Sequence, residues 1–243
     1  MIQAFYSAAL GAQQQMTRMG VQGNNISNVN TYGFKAEKPS FEAALYRYEN
    51  GVDGAQLPRG SGALMVSTAT DFSDSSIEQT GRSLDYTIVG DGFFALRDPH
   101  YISIAARTKS YTRDGSFTLS RFLVNGQETF YLSDGEGRQV LDGNGNPIVV
   151  TDQEEVQPIG VYTFQYQDGL QHLDAGRFAA LPKNGTITSV ADPNLQQGYL
   201  ETSNTDLAYE IGKVIEAQRS YSYALRMVTT ADEVETTING LTN

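Results

Sequence analysis

The stretch IVGDGFFAL places Gly90, Gly92 and Ala95 in a GxGxxA spacing behind an apolar run, the arrangement by which a dinucleotide-binding turn lets its main chain approach a pyrophosphate. That chemistry needs a helix to follow, and FFALR reads as a strand, so the glycines are assigned to a tight hairpin turn. In DGNGNPIVV, Asp142, Asn144 and Asn146 alternate as the ligands of a calcium loop would. Pro147 stands where such a loop requires glycine, and Gln153 where it requires a bidentate glutamate, so a turn is expected here too. The two histidines, His100 and His172, lie far apart in turn-like sequence, which argues against a zinc site or a histidine-based triad. Each is expected as an exposed loop residue. The 28 acidic residues could hide a glycosidase-type carboxylate pair, but such pairs carry no local signature, and no catalytic residue is assigned. No cysteine is present, which excludes disulfides, thiolate metal sites and a cysteine nucleophile. No cofactor and no metal are expected.

A formal charge of −11, with 17 basic residues scattered singly among 243, argues against a nucleic-acid or anionic-membrane partner, because both reward clustered lysine and arginine. The first residues, MIQAFYSAALGAQQQM, have no basic stretch before their apolar positions, and no uncharged apolar run reaches membrane-spanning length. Neither a cleaved signal nor a membrane span is expected.

What remains must be positioned by two long helices. From Ile2, apolar or small residues recur at Phe5, Ala9, Ala12, Met16, Met19, Gly23 and Ile26, alternating spacings of three and four, which is a heptad seam. Only Arg18 carries a charge among residues 1–34. A helix in water normally presents a charged outer side, so this one is expected to have neighbours around much of its circumference. At the other end Leu207, Ile211, Val214, Gln218, Tyr221, Leu225 and Val228 repeat the pattern, and Ala231, Val234, Ile238 and Leu241 continue it in a slipped register. SNTD at 203–206 supplies capping side chains, with Asp206 at the positive end of the helix dipole. Nine charges between 206 and 235 give this helix a partly wet side. The pairs Glu210 with Lys213 and Glu216 with Arg219 suit any solvated helix.

Between the helices LDYTIV, FFALR, KSYTR, SFTLS, TFYLS, VYTFQY, RFAAL and GTITSV alternate with Asp-Gly at 91, 114, 134, 142 and 168, which predicts an antiparallel β domain over 81–198. Residues 50–62, NGVDGAQLPRGSG, read as a flexible connector. The fold class is α+β, with N- and C-terminal helices pairing as a coiled coil and an antiparallel β-rich central domain. Its divisions are a helix and Asn-rich motif at 1–35, an extended linker at 36–80, the β domain at 81–198 and the C-terminal helix at 199–243. A lone two-helix pair has little core, so the pair is expected to be completed by the same pair from other subunits.

Four ordered blocks carry a resemblance: NNISNVNTYGFK, DFSDSSIEQTGRSLDYTIVGDGFFAL, YTRDGSFTL and QGYLETSNTDLAYEIGKVIEAQRSYSYALRMVTTADE. Together they resemble the flagellar basal-body rod protein family, among the axial proteins of bacteria. The EAQRSY and GDGFF stretches are more similar to distal than to proximal members, and the rod segment stays open. The resemblance implies a non-enzymatic subunit of a helical tube that transmits torque from motor to hook, paired terminal helices lining its inner part. The partners it implies are copies of the same chain, other rod and hook proteins, and the flagellar type III export apparatus. The location it implies is the basal body, reached by export without a cleaved signal peptide. In physical terms Asn24, Asn25, Asn28 and Asn30 can satisfy main-chain groups as the first helix ends in a dry interface, Gly33 supplies a positive φ and Phe34 an apolar anchor. The expected assembly interface is therefore Ile2, Phe5, Met16, Met19, Asn24, Asn25, Asn28, Gly33, Phe34, Leu207, Ile211, Val214, Tyr221, Leu225 and Val228. The alternatives are another axial protein such as a hook subunit, an exported enzyme acting on cell-wall glycan, and a carbohydrate-binding module, which the absence of tryptophan disfavours.

Overall fold

The computed structural model describes residues 2–43, 46–50, 56–60, 63–99, 109–124 and 127–241. His100 and parts of the 50–62 connector lie outside them. Among the described residues no helix is long and apolar enough to cross a membrane.

The chain forms two compact units. The first comprises 1–27, 37–69 and 205–243. It contains helix α1 (Ile2–Ser27) and helix α2 (Leu207–Leu241). With them are strands β1 (Glu37–Ala43), β2 (Tyr46–Asn50), β3 (Gln56–Gly60) and β4 (Ala63–Thr70). Strand β1 pairs with β4, and β2 with β3, so much of the stretch expected as an extended linker is extended but hydrogen-bonded. The residues explain it: KPSFEA alternates polar with apolar positions, LMVSTAT carries the β-branched Val66, Thr68 and Thr70 that suit a strand, and a free edge left by one is filled by the other.

The second unit comprises 28–36 and 70–204. Each of the eight β-type runs named from the sequence contributes a strand. Its centre is β7 (Phe93–Arg97), which pairs antiparallel with β8 (Ser110–Thr112) along one edge. Its other edge is shared by β11 (Gln139–Val140) and β12 (Val161–Phe164). The sheet continues through β10 (Gln127–Ser133) to β9 (Thr118–Val124) on one side, and through β14 (Arg177–Ala179) to β13 (Gln171–His172) on the other. Strand β15 (Ile187–Ser189) pairs with β12. Two small ladders join β5 (Ile77–Gln79) to β17 (Tyr199–Glu201) and β6 (Tyr86–Ile88) to β16 (Leu195–Gln197).

FFALR lacks polar alternation because both faces of β7 are buried. Phe94 and Leu96 point into a core with Tyr86, Phe117, Leu132 and Val161. Phe93 and Ala95 point into a second core with Tyr111, Tyr162, Phe164 and Phe178. Each large side chain so buried contributes about 1.5–3 kcal/mol.

Candidate functional site

Helices α1 and α2 run antiparallel, since partners advance on one as they recede on the other: Asn25 meets Glu210, Gln22 reaches Lys213 and Arg18 meets Glu216. On α2 the covered stripe is Glu210, Val214, Ala217, Tyr221, Ala224, Val228 and Ala231, at alternating spacings of four and three. On α1 the buried positions among the described side chains are Ala12, Gln22 and Asn25. The heptad period is therefore present and shares every second position with the expected seam, while Glu210, Ala217 and Ala224 take the places expected for Ile211, Gln218 and Leu225. Val214, Tyr221 and Val228 lie in the stripe, while Leu207, Ile211 and Leu225 are 44 %, 45 % and 41 % exposed. On α1 Met19 is half-buried and Phe5 and Met16 are exposed; Ile2 opens the helix, and its side chain lies outside the described residues. The physical reason is size: alanine at 217, 224 and 231 lets two backbones approach, and larger side chains flank the contact. A template counting large apolar residues selects the flank.

The end of α1 is fixed by one amide. Asn25 is sealed from water; its Nδ2 donates to the Glu37 carbonyl at 2.9 Å and to Glu210 Oε1 at 3.1 Å, while its Oδ1 accepts from the Glu37 N–H at 3.0 Å. One side chain thus joins α1, β1 and α2. Burial pushes the Glu210 carboxyl above the usual glutamate range, against the lowering effect of the Asn25 hydrogen bond. The start of α2 is capped by Asp206, whose Oδ1 accepts from the N–H of Ala208 at 2.9 Å and of Tyr209 at 3.1 Å. Lys213 pairs with Glu216, not with Glu210. Within the single chain Asn25 is the asparagine of the four that is sealed from water; Asn24 and Asn30 are exposed, and the half-buried Asn28 accepts from Thr31 Oγ1 at 3.2 Å.

Within the second unit all four of the separated blocks converge. Gly33 has φ 65°, and its N–H donates to the Glu201 carbonyl at 2.8 Å. A Cβ there would lie 2.3 Å from the Asp114 nitrogen and 2.4 Å from the Arg113 carbonyl carbon, so the position demands glycine for both reasons. Phe34 is buried beside it. Lys35 Nζ donates to the Ser73 carbonyl and to Glu201 Oε1, both at 2.7 Å. Arg113 Nε sits 3.3 Å from the other Glu201 oxygen, and its Nη1 donates to the Gly90 carbonyl at 2.8 Å. Asn204 Oδ1 accepts from the Ala36 N–H at 2.8 Å, while its Nδ2 donates to the Asp71 carbonyl at 2.7 Å. Sequence reasoning misses Lys35, Arg113, Glu201 and Asn204, since a buried ion cluster has no periodic signature. Their membership in the quoted blocks is the available signal.

The nucleotide-like and calcium-like spacings resolve into turns. Gly90 and Gly92 adopt φ 104° and 141°, and a Cβ on Gly92 would lie 2.3 Å from Val161 Cγ1; strand β7 follows directly. Asp142 Oδ1 accepts from the N–H groups of Asn144 and Asn146 at 2.9 and 2.7 Å, an Asx turn. His172 bonds Thr70 Oγ1 at 2.5 Å and packs edge-on against Phe178. It is half-buried in β13, not an exposed loop residue.

Residues 5–35 match the family model described as Flagella basal body rod protein. Residues 196–241 match that described as Flagellar basal body rod FlgEFG protein C-terminal. The chain is 30 % identical to the flagellar basal-body rod protein FlgG of Bacillus subtilis (strain 168), over 96 % of this chain and 97 % of that one. It is 28 % identical to FlgG of Agrobacterium fabrum, over 98 % of each, and 29 % identical to the flagellar basal-body rod protein FlgF of Caulobacter vibrioides, over 93 % of each.

Proposed function

Because the chain belongs to the flagellar basal-body rod protein family, we propose that its terminal helices, with residues 1–35 and 199–243, are the surface through which copies join, and that 81–198 forms a separate β body. The chain is a structural subunit of the rod, forming part of the axial tube, and not an enzyme. It works through contacts with other copies and with other flagellar components.

The observation that supports the helical surface is the outward side of α1 and α2. Phe5, Tyr6 and Met16 on α1, and Leu207, Ile211, Ile215, Leu225 and Met227 on α2, are exposed in the single chain. With only Arg18 charged in residues 1–34, this surface is costly to leave in water and suits a neighbour of the same kind. Torque would then pass between subunits through interlocked side chains. Segment 36–80 would connect helices and body, export would proceed through the flagellar type III apparatus without a cleaved signal, and rod and hook proteins would be the axial neighbours.

The test is genetic and structural. Cells deleted for this chain are expected to be non-motile and to yield no complete hook–basal bodies, with the tagged chain restoring both and appearing in the isolated rod. Complete hook–basal bodies from the deletion strain would overturn the assignment.

A further inference from the structure

The stripe of α2 that turns away from α1 carries an ordered charge sequence. Arg219, Arg226 and Glu233 each stand two positions beyond Ala217, Ala224 and Ala231. Two residues are about 200° around a helix, so all three occupy one heptad position opposite the seam. Both arginines and Glu233 are exposed, and Tyr223, 63 % exposed, stands between the arginines. Among the described residues neither arginine forms an ion pair. The acidic end is equally uncompensated: Asp232, Glu233 and Glu235 fall within four positions with no basic residue after Arg226. Asp232 and Glu235, three apart, form a like-charge pair that destabilises an isolated helix.

We propose that the Arg219–Arg226 strip of one copy receives the acidic end of α2, Asp232 to Glu235, of a second copy, and that this pairing sets the axial register between subunits. It rests on the reading of the chain as a rod subunit. In a chain with formal charge −11, two arginines at one heptad position, with no ion pair among the described residues, are a scarce resource, and the same helix supplies the complementary group at the next repeat of that position. The separation along one helix, seven residues or roughly 10 Å, is too long for Arg226 to reach Glu233 directly, so that match is open only between copies. Ion pairs at such positions choose register and orientation more than they add affinity.

The experiment is charge exchange in the flagellated cell, with motility and isolated hook–basal bodies as readouts. Arg219→Glu with Arg226→Glu, and separately Asp232→Lys with Glu233→Lys and Glu235→Lys, are each expected to abolish motility and complete rods. The chain carrying all five changes, its strip and end exchanged in sign, is expected to recover both. Motility in either half-exchanged strain, or no recovery in the fully exchanged one, overturns the pairing. Loss from the arginine changes alone, with the acid changes tolerated, would assign the strip to a different partner and also overturns it. In all these cases the rod assignment stands, because it is read from the deletion strain.

Discussion

The ammonium of Lys35 lies 2.7 Å from the carboxylate of Glu201, and both side chains are all but sealed from water, at 0 % and 4 % exposure. Ser75 Oγ donates to the same carboxylate oxygen at 3.0 Å, and Arg113 approaches the other. Breaking a buried pair by removing one partner strands the remaining charge, which costs about 3–5 kcal/mol. Lys35→Met is therefore expected to lower the unfolding free energy by about 3 kcal/mol in a urea titration, somewhat softened because Arg113 still faces Glu201. An unchanged midpoint would mean that the cluster does not hold this unit together.

Gly33→Ala is expected to destabilise the same unit by at least about 1–2 kcal/mol from the left-handed backbone alone, with more from overlap on the Asp114 and Arg113 main chain. Gly20, inside α1 with nothing within 4 Å of where a Cβ would stand, is the control. There alanine should stabilise the monomer by about 0.5–1 kcal/mol. Thermal unfolding of the two variants beside the parent separates them by sign.

Glu210 gives a pH dependence with a definite sense. Its folded-state pKa is raised from 4.5, chiefly by burial. Its contribution is therefore fully present below the unfolded value and is lost as pH rises through the raised folded value. Glu210→Gln, which keeps an acceptor for Asn25 and no charge, should raise the melting temperature of the helical signal at pH 7. That advantage should vanish near the unfolded value. A variant less stable than the parent at pH 7 would mean that Lys38 and Lys213 outweigh the burial.

The two sides of α2 should respond differently to mutation. Ile211→Asp and Leu225→Asp change positions exposed in the single chain, so monomer stability should move within about 0.5 kcal/mol while rod assembly is lost. Ala217→Leu adds bulk at a position with no exposure and should loosen the helix pair itself, typically by about 1–3 kcal/mol. Circular dichroism with sedimentation distinguishes the cases. Normal assembly of both aspartate variants would sink the outward face as an interface.

The β strands were legible because β chemistry is local. Alternating or continuous apolar runs between Asp-Gly turns identify β6 to β10, β12, β14 and β15 with little help from context, and Asp206 announced the start of α2. The seam was legible in period but not in phase. Leu207 and Glu210 differ by less than one turn, and only the close approach permitted by Ala217 and Ala224 decides which faces α1. Lys35 and Glu201 escaped for another reason: opposite charges 166 positions apart have no sequence signal until the chain brings them together. Among the asparagines, composition alone could not separate Asn25, which has three main-chain and side-chain partners, from the exposed Asn24 beside it.

The bonds of Gly33 to Glu201 and of Ala36 to Asn204 pinch the intervening chain into a loop whose entrance and exit lie side by side. Closing a loop depends only logarithmically on its length, so even doubling the enclosed chain would cost about 0.6 kcal/mol. The surface turns of the β body can therefore gain or lose residues while the closure stays in place. The enclosed β body is free to diverge on its own schedule, provided that a glycine, a lysine, a glutamate and an asparagine keep the closure shut.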